Sequence, residues 1–265
     1  MPDDLRNEVL LERMTSPEVR AALGAGRTTA LIACGAIEQH GPHLPLFVDA
    51  EHGEHIAIEV ARRTGDALVA PTIRVGCSEH HLAFPGTISY QIATFEAVCR
   101  DYCTSLACHG FRRICFIPSH GGNFAPLAAM LGRLQDAAGP QTQVLAYTDL
   151  QSLIRLWTRV VEEESGLGVR VGGHADIAES SVMLVLHPEL VREDLATAGF
   201  TDPMTPELLA RIFRDGFRSV TENGIIGDAR GMSAQIGKRC IEELIMILVA
   251  YLRAQPDPPT PPKLS

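Results

Sequence analysis

The sequence predicts an α/β protein, a layered and mostly parallel sheet with helices on both faces. Three observations carry that expectation. Short apolar runs alternate with helix-length amphipathic segments from Thr28 to Leu156, the rhythm of strand and crossover helix. The runs are apolar throughout, as strands buried on both faces are. The residues richest in chemistry stand just beyond the ends of those runs, where open α/β sheets place their ligands. With no composition shift that marks a linker, residues 1–254 are expected to form a single domain, and the proline-rich residues 255–265 a disordered tail.

Taken in order, residues 1–14 form a loose amphipathic lead-in, and Ser16-Pro17-Glu18 starts a helix with Ser16 as its cap and Pro17 in the first turn. Gly24 and Gly26 end it. The first strand, Thr28 to Cys34, breaks at Gly35 into a loop carrying Glu38, His40 and Asp49, and a helix resumes from Ala50 to Thr64. In extended backbone residues i and i+2 face one side, so Glu38 and His40 point into one cavity, while Pro42 and Pro45 stiffen the return towards Asp49. His52 and His55 fall near that helix start and are expected at the surface or behind the site. Strand two runs from Ala67 to Val75. In the loop Gly76 to Ser89, adjacent His80 and His81 point opposite ways if extended, so only one faces the site easily.

A helix from about Gln91 to His109 leads to strand three, Arg113 to Pro118, which runs straight into Ser119-His-Gly-Gly-Asn123. His120 thus sits at a strand's carboxyl end and beside the N-terminus of a helix from about Phe124 to Ala138. Strand four, Gln143 to Thr148, precedes an amphipathic helix from Leu150 to Glu164 and a glycine-rich break from Gly166 to Gly173. If Ala175 to Leu186 is helical, His174 lies at its start and Glu179 about one and a half turns in. A carboxylate ahead of so apolar a run calls for a cation or histidine partner. A helix from Thr205 to Asn223, a turn-rich connector with Asp228 as cap or site residue, and a helix from about Ser233 to Arg253 complete the chain.

A net charge of −9, with 23 Lys and Arg dispersed among 32 Asp and Glu, argues against nucleic-acid binding, which needs a clustered basic face. No run has the length and apolarity of a transmembrane helix, and the first eight residues lack the order of a signal peptide, so a cytoplasmic protein with no membrane contact is expected. Seven scattered cysteines without a C-x-x-C pair indicate reduced, mostly buried thiols. Glu38, His40, Asp49, His120 and Glu179 remain as candidate metal ligands. Three carboxylates and two imidazoles exceed what one tetrahedral ion needs and suit a pair of zinc, manganese or iron(II) ions, with an aspartate such as Asp49 bonded to both.

The chain resembles the creatininase (creatinine amidohydrolase) family. The resemblance rests on Gly35-Ala-Ile-Glu-Gln-His-Gly-Pro-His-Leu-Pro-Leu46 with Asp49 following, Phe84-Pro-Gly-Thr87, Ser119-His-Gly-Gly-Asn123 and His174-Ala-Asp-Ile-Ala-Glu-Ser-Ser181. It implies a layered α/β fold, Glu38, His40, Asp49 and His120 as ligands with Asp49 the bridge, and His174 as proton shuttle oriented by Glu179. Two divalent ions per subunit are implied, zinc with zinc, manganese or iron. A small-molecule substrate and homohexamers are implied as well. The expected reaction is cleavage of a C–N bond in an amide or cyclic amide by a metal-bridged hydroxide.

Creatininase proper has a tyrosine and then a metal-binding glutamate directly after the histidine that matches His120, where this chain has Gly121 and Gly122. Glu179 is the candidate replacement. The tryptophan that covers creatinine corresponds to the neighbourhood of Arg170, and the only tryptophan here is Trp157. Creatinine is therefore not the expected substrate. The family also resembles formamide hydrolases of flavin and deazaflavin precursor synthesis, a peptide-trimming enzyme of mycofactocin maturation and a hydrolase of oxidised inositols. Two other classes compete: a serine hydrolase using Ser119 on a strand-to-helix turn, and a scaffold without activity.

Overall fold

Four apolar segments pair in parallel. β1 (Thr29–Cys34) lies between β2 (Ala67–Val69) and β3 (Arg113–Pro118), with β4 (Gln143–Ala146) beyond β3, which gives the order β2-β1-β3-β4. The structure is a computed structural model that describes residues 8–257. The pleat sends alternate residues of β1 to opposite faces. Leu31 and Ala33 join a core formed with α2 (Val48–Thr64), α5 (Leu150–Ser165), α6 (Ile177–Leu186) and α8 (Ala234–Arg253). Ala30, Ile32 and Cys34 meet α3 (Ile92–Cys108) and α4 (Gly121–Ala138) on the other face. The expected α/β layering is present, and all seven cysteines are free, six of them buried. No described helix is long and apolar enough to cross a membrane.

Several boundaries differ from expectation, each for a local reason. Helix α1 (Ser16–Gly24) is capped by Thr15, whose N–H donates to the Glu18 carboxylate at 2.6 Å, rather than by Ser16. Strand β2 stops at Val69 instead of Val75, because Pro71 has no N–H for the ladder, and after Ala70 the chain meets the sheet again at the Cys34–Ile73 bridge. Helix α2 begins two residues early, so Asp49 stands in its first turn and not in the loop.

The glycine-rich break contains a strand. β5 (Val171–His174) pairs antiparallel with β6 (Ile226–Gly227), in a two-stranded sheet apart from the main one. His174 therefore ends a strand, and α6 starts three residues later. Helix α7 (Pro206–Asp215) ends at Gly216, whose φ of 83° leaves the helical region, and Phe217–Ser219 turns away as a short 3-10 segment. The proline-rich tail lies outside the described residues except for 255–257, where the Pro256 carbonyl accepts from Arg113 Nη2 at 2.7 Å. The lead-in is described only from Glu8 onward.

Candidate metal centre

The site lies beyond the carboxyl ends of β1 and β3, the two central strands. Glu38 and His40 leave β1, Asp49 comes from the first turn of α2, His120 from the junction of β3 and α4, and Glu179 from α6. All five are buried. Glu38 Oε2 lies 3.1 Å from His120 Nδ1, which is 3.5 Å from Asp49 Oδ2. The other Asp49 oxygen is 3.5 Å from His40 Nε2, which in turn is 3.7 Å from Glu179 Oε2. Two triads with ligand atoms within 4.8 Å of one another result, Glu38-Asp49-His120 and His40-Asp49-Glu179, and Asp49 belongs to both. A third group of the same kind joins Glu38, His40 and His174.

Hydrogen bonds behind the triads decide which ring nitrogen faces inward. A backbone carbonyl only accepts, so His40 Nδ1, 3.1 Å from the Glu38 carbonyl, and His120 Nε2, 3.0 Å from the Cys77 carbonyl, carry protons. The opposite nitrogens face the carboxylates, an arrangement typical of metal-ligating histidines. Likewise His174 Nε2 is 2.9 Å from the Gln39 carbonyl, which turns Nδ1 towards Glu38 Oε1 at 3.8 Å.

Both Glu38 oxygens, Asp49 Oδ2 and His40 Nε2 are buried without a hydrogen-bond partner. Polar atoms buried in that condition are costly unless a cation or a proton sits among them. The electrostatics agree. Burial alone would depress the His40 imidazole, but the Asp49, Glu179 and Glu38 carboxylates outweigh it and hold its pKa up at about 10. His120 rises well above the ordinary imidazole value, Glu38 and Asp49 overcoming burial in the same way. Burial pushes Glu179 up to about 8 despite the opposing charge of His40. His174, buried and beside His40, is held well below the usual value and stays neutral. The donor set, all oxygen and imidazole nitrogen, fits hard or borderline divalent cations.

The other singled-out residues divide clearly. His80 and His81 were expected to point apart, yet both are buried and both line the cavity, because Glu79–His81 is a 3-10 turn and not an extended segment. His52 packs against Trp157 behind the site, with ring centroids 5.6 Å apart. His43 Nε2 is 2.7 Å from Ser180 Oγ. Asp228 is bound to Arg230 at 2.7 Å, away from the triads. Ser119, the alternative nucleophile, donates its hydroxyl to the Asp49 carbonyl at 2.7 Å and holds the start of α2 in place. Asn123 ties two segments to the start of α4: its Oδ1 accepts from Cys77 N, and its Nδ2 donates to the Cys34 and Gly35 carbonyls at the end of β1, each at 3.0 Å.

The triads open into a cavity of about 1040 Å³. Its walls include Ile154, Trp157, Val169, Leu209, Phe213 and Phe217, so apolar side chains make up much of the lining beside the buried polar cluster. Gly121 and Gly122 contribute differently. A Cβ at Gly121 would meet only Leu150, at 4.0 Å, whereas one at Gly122 would lie 2.3 Å from the Cys77 carbonyl and 2.4 Å from His120 Nε2. No ligand side chain fits at position 122 with this backbone. Gly122→Ala is accordingly expected to displace His120 and cost about 1–3 kcal/mol in chemical denaturation. Gly121→Ala should stay within about 0.5–1 kcal/mol of the parent, the helix-propensity difference.

A parallel α/β sheet whose strand ends converge buried carboxylates and imidazoles on a large cavity defines an enzyme with a donor set suited to divalent cations. The chain belongs to the creatininase family, whose model, Creatinine amidohydrolase, matches residues 12–252. Within the family it is 33% identical over 224 residues to the mycofactocin precursor peptide peptidase of Mycolicibacterium smegmatis, covering 81% of this chain and 80% of that one. It is 28% identical over 204 residues to the creatinine amidohydrolase of Pseudomonas putida, covering 72% of this chain and 76% of that one. A solved structure described as creatininase Mn superposes with a TM-score of 0.76 at 26% identity, covering 93% of this chain and 98% of that one. The chain is thus a hydrolase of this family, whose members are amidohydrolases.

Proposed function

We propose that the protein hydrolyses an amide C–N bond of a peptide-like substrate at a pair of divalent ions bridged by Asp49. The observation that carries this reading is the sharing of Asp49 between two triads, which suits two ions better than one. Glu38 and His120 would complete one set and His40 and Glu179 the other, with Glu179 replacing the ligand that Gly122 leaves no room for. When bound, such ions acidify water and polarise a carbonyl. Zinc paired with zinc, manganese or iron meets the donor chemistry. Assembly into homohexamers belongs to the same proposal.

The chain's own residues supply the rest. His174 is neutral, with Nε2–H held by the Gln39 carbonyl, so its Nδ1 is free to take up a proton and pass it to the departing nitrogen. Glu179 Oε2 accepts from Ala175 N at 2.5 Å and so fixes the backbone next to His174. Ala175 sits at φ 53°, a strained conformation that this bond holds in place. The cavity is far larger than a creatinine ring needs, and its apolar wall suits the side chains of a peptide. The name of the 33%-identical relative, a precursor peptide peptidase, supports that substrate class.

Dipicolinate is expected to abolish hydrolysis of a peptide panel, with zinc or manganese restoring it, while a fluorophosphonate leaves the protein unlabelled at Ser119. Activity that survives chelation, or labelling at Ser119, would favour the serine mechanism. Ion binding also releases protons. The His40 proton, held with a pKa of about 10, and the Glu179 proton, held at about 8, must leave before either residue ligates, so affinity rises with pH through neutrality. Calorimetry of zinc binding at pH 7 in buffers of different ionisation enthalpy should show net proton release, and none would contradict the assignment.

A further inference from the structure

We infer that Gln39, the residue between Glu38 and His40, is a positioning residue that sets the tautomer of His81 and through it the orientation of Glu38. This inference rests on the metal site proposed above. The Gln39 side chain is fixed at both ends. Its Oε1 accepts from Gly41 N at 3.0 Å, which makes Nε2 the donor end, and Nε2 lies 3.1 Å from the Gly224 carbonyl and 2.9 Å from His81 Nδ1. The amide has two hydrogens, and these two acceptors take them. His174 Nε2 also lies 3.0 Å from Gln39 Nε2, but it already donates to the Gln39 carbonyl and is no acceptor.

Because His81 Nδ1 accepts, its proton is on Nε2, and Nε2 lies 3.3 Å from Glu38 Oε1. His81 thus turns its protonated nitrogen towards Glu38 Oε1 in an electrostatic contact that falls short of a hydrogen bond, while the other oxygen faces His120 Nδ1. The opposite tautomer would set a lone pair against the carboxylate. Phe217 stacks on the His81 ring, with centroids 3.9 Å apart and planes inclined by 30°, which stops the ring from turning away. The space around Gln39 is shaped as tightly: a Cβ at Gly224, itself at φ 84°, would lie 1.8 Å from Gln39 Oε1. A single glutamine therefore holds two imidazoles, His174 through its backbone carbonyl and His81 through its side-chain amide.

Two readouts test this. In the metal-free protein, long-range proton–nitrogen correlation spectra are expected to show His81 protonated at Nε2, and Gln39→Leu to shift it towards the other tautomer. In zinc competition titrations, His81→Leu and Gln39→Leu are expected to weaken one bound ion about 10–100-fold, the usual effect of losing a partner behind a ligand. His81→Gln, which restores an N–H near the same place, should stay within about threefold of the parent, a recovery that loss of packing alone does not produce. His81 protonated at Nδ1, or His81→Leu with the parent's zinc affinity, would overturn the inference. A parent protein that binds no zinc would instead remove the metal reading, and the spectra would still decide the tautomer.

Discussion

Asp49→Ala is expected to empty the site of both ions and to lower kcat/KM by at least about a thousandfold, roughly 4 kcal/mol of transition-state stabilisation. The reason is geometric. Each Asp49 oxygen faces a different imidazole, Oδ1 towards His40 and Oδ2 towards His120, so one substitution removes a ligand from both triads. Of the two triads that share Asp49, Glu38→Ala and Glu179→Ala each take a ligand from one, and each should release mainly one ion. Elemental analysis of the three purified variants beside the parent makes the comparison. If Asp49→Ala and Glu38→Ala lose metal equally, Asp49 is not a bridge. In the metal-free state Asp49 supports the charge of two buried imidazoles, so Asp49→Ala should also cost stability, and metal content is compared per folded chain.

Asp176→Ala is expected to be the most damaging change outside the triads. The buried Asp176 carboxylate accepts four backbone N–H groups: Gly172 and Gly173 at 2.8 Å through Oδ2, and Ala178 at 2.8 Å and Glu179 at 3.2 Å through Oδ1. It therefore ties the end of β5 to the start of α6, and His174 and Glu179 lie on either side of that tie. Burial raises its pKa, and the four donors oppose that rise. Truncation removes the cap of α6 and strands several donors, a loss of about 3–5 kcal/mol. Against a typical total of about 5–15 kcal/mol, that is a large share of the protein's stability. Urea denaturation of Asp176→Ala checks it, and a change under about 1 kcal/mol would show that another residue holds the junction.

Much of the site was legible in the sequence because it is built from short-range rules. Glu38 and His40 are two residues apart after a buried run, and the structure brings both into one buried group with His174. The parallel sheet was readable from the alternation of apolar runs and helical segments, since no other packing buries such runs on both faces. Glu179 was found by cost: a carboxylate ahead of Val182-Met-Leu-Val-Leu186 needs a partner, and the structure sets it 3.7 Å from His40.

What escaped depends on contacts between distant segments. Gly172 and Gly173 read as a break, yet they lie in β5, whose partner β6 is some fifty residues away and only two residues long. At position 122 the sequence shows only a glycine in place of a ligand; that the Cys77 carbonyl and the His120 ring exclude any side chain there depends on the fold. The role of His81 was hidden because a 3-10 turn, which local composition does not announce, replaces an extended segment. Gln39 shows the same dependence: its buried amide must be satisfied, and its partners, His81 and Gly224, come from segments far away in the chain.

Anomalous diffraction from crystals grown with zinc and manganese, recorded at both absorption edges, tests the central claim most directly. The account predicts two peaks per chain, one within bonding distance of Glu38, Asp49 and His120, the other of His40, Asp49 and Glu179. A single peak, or a second one that does not touch Asp49, would contradict it.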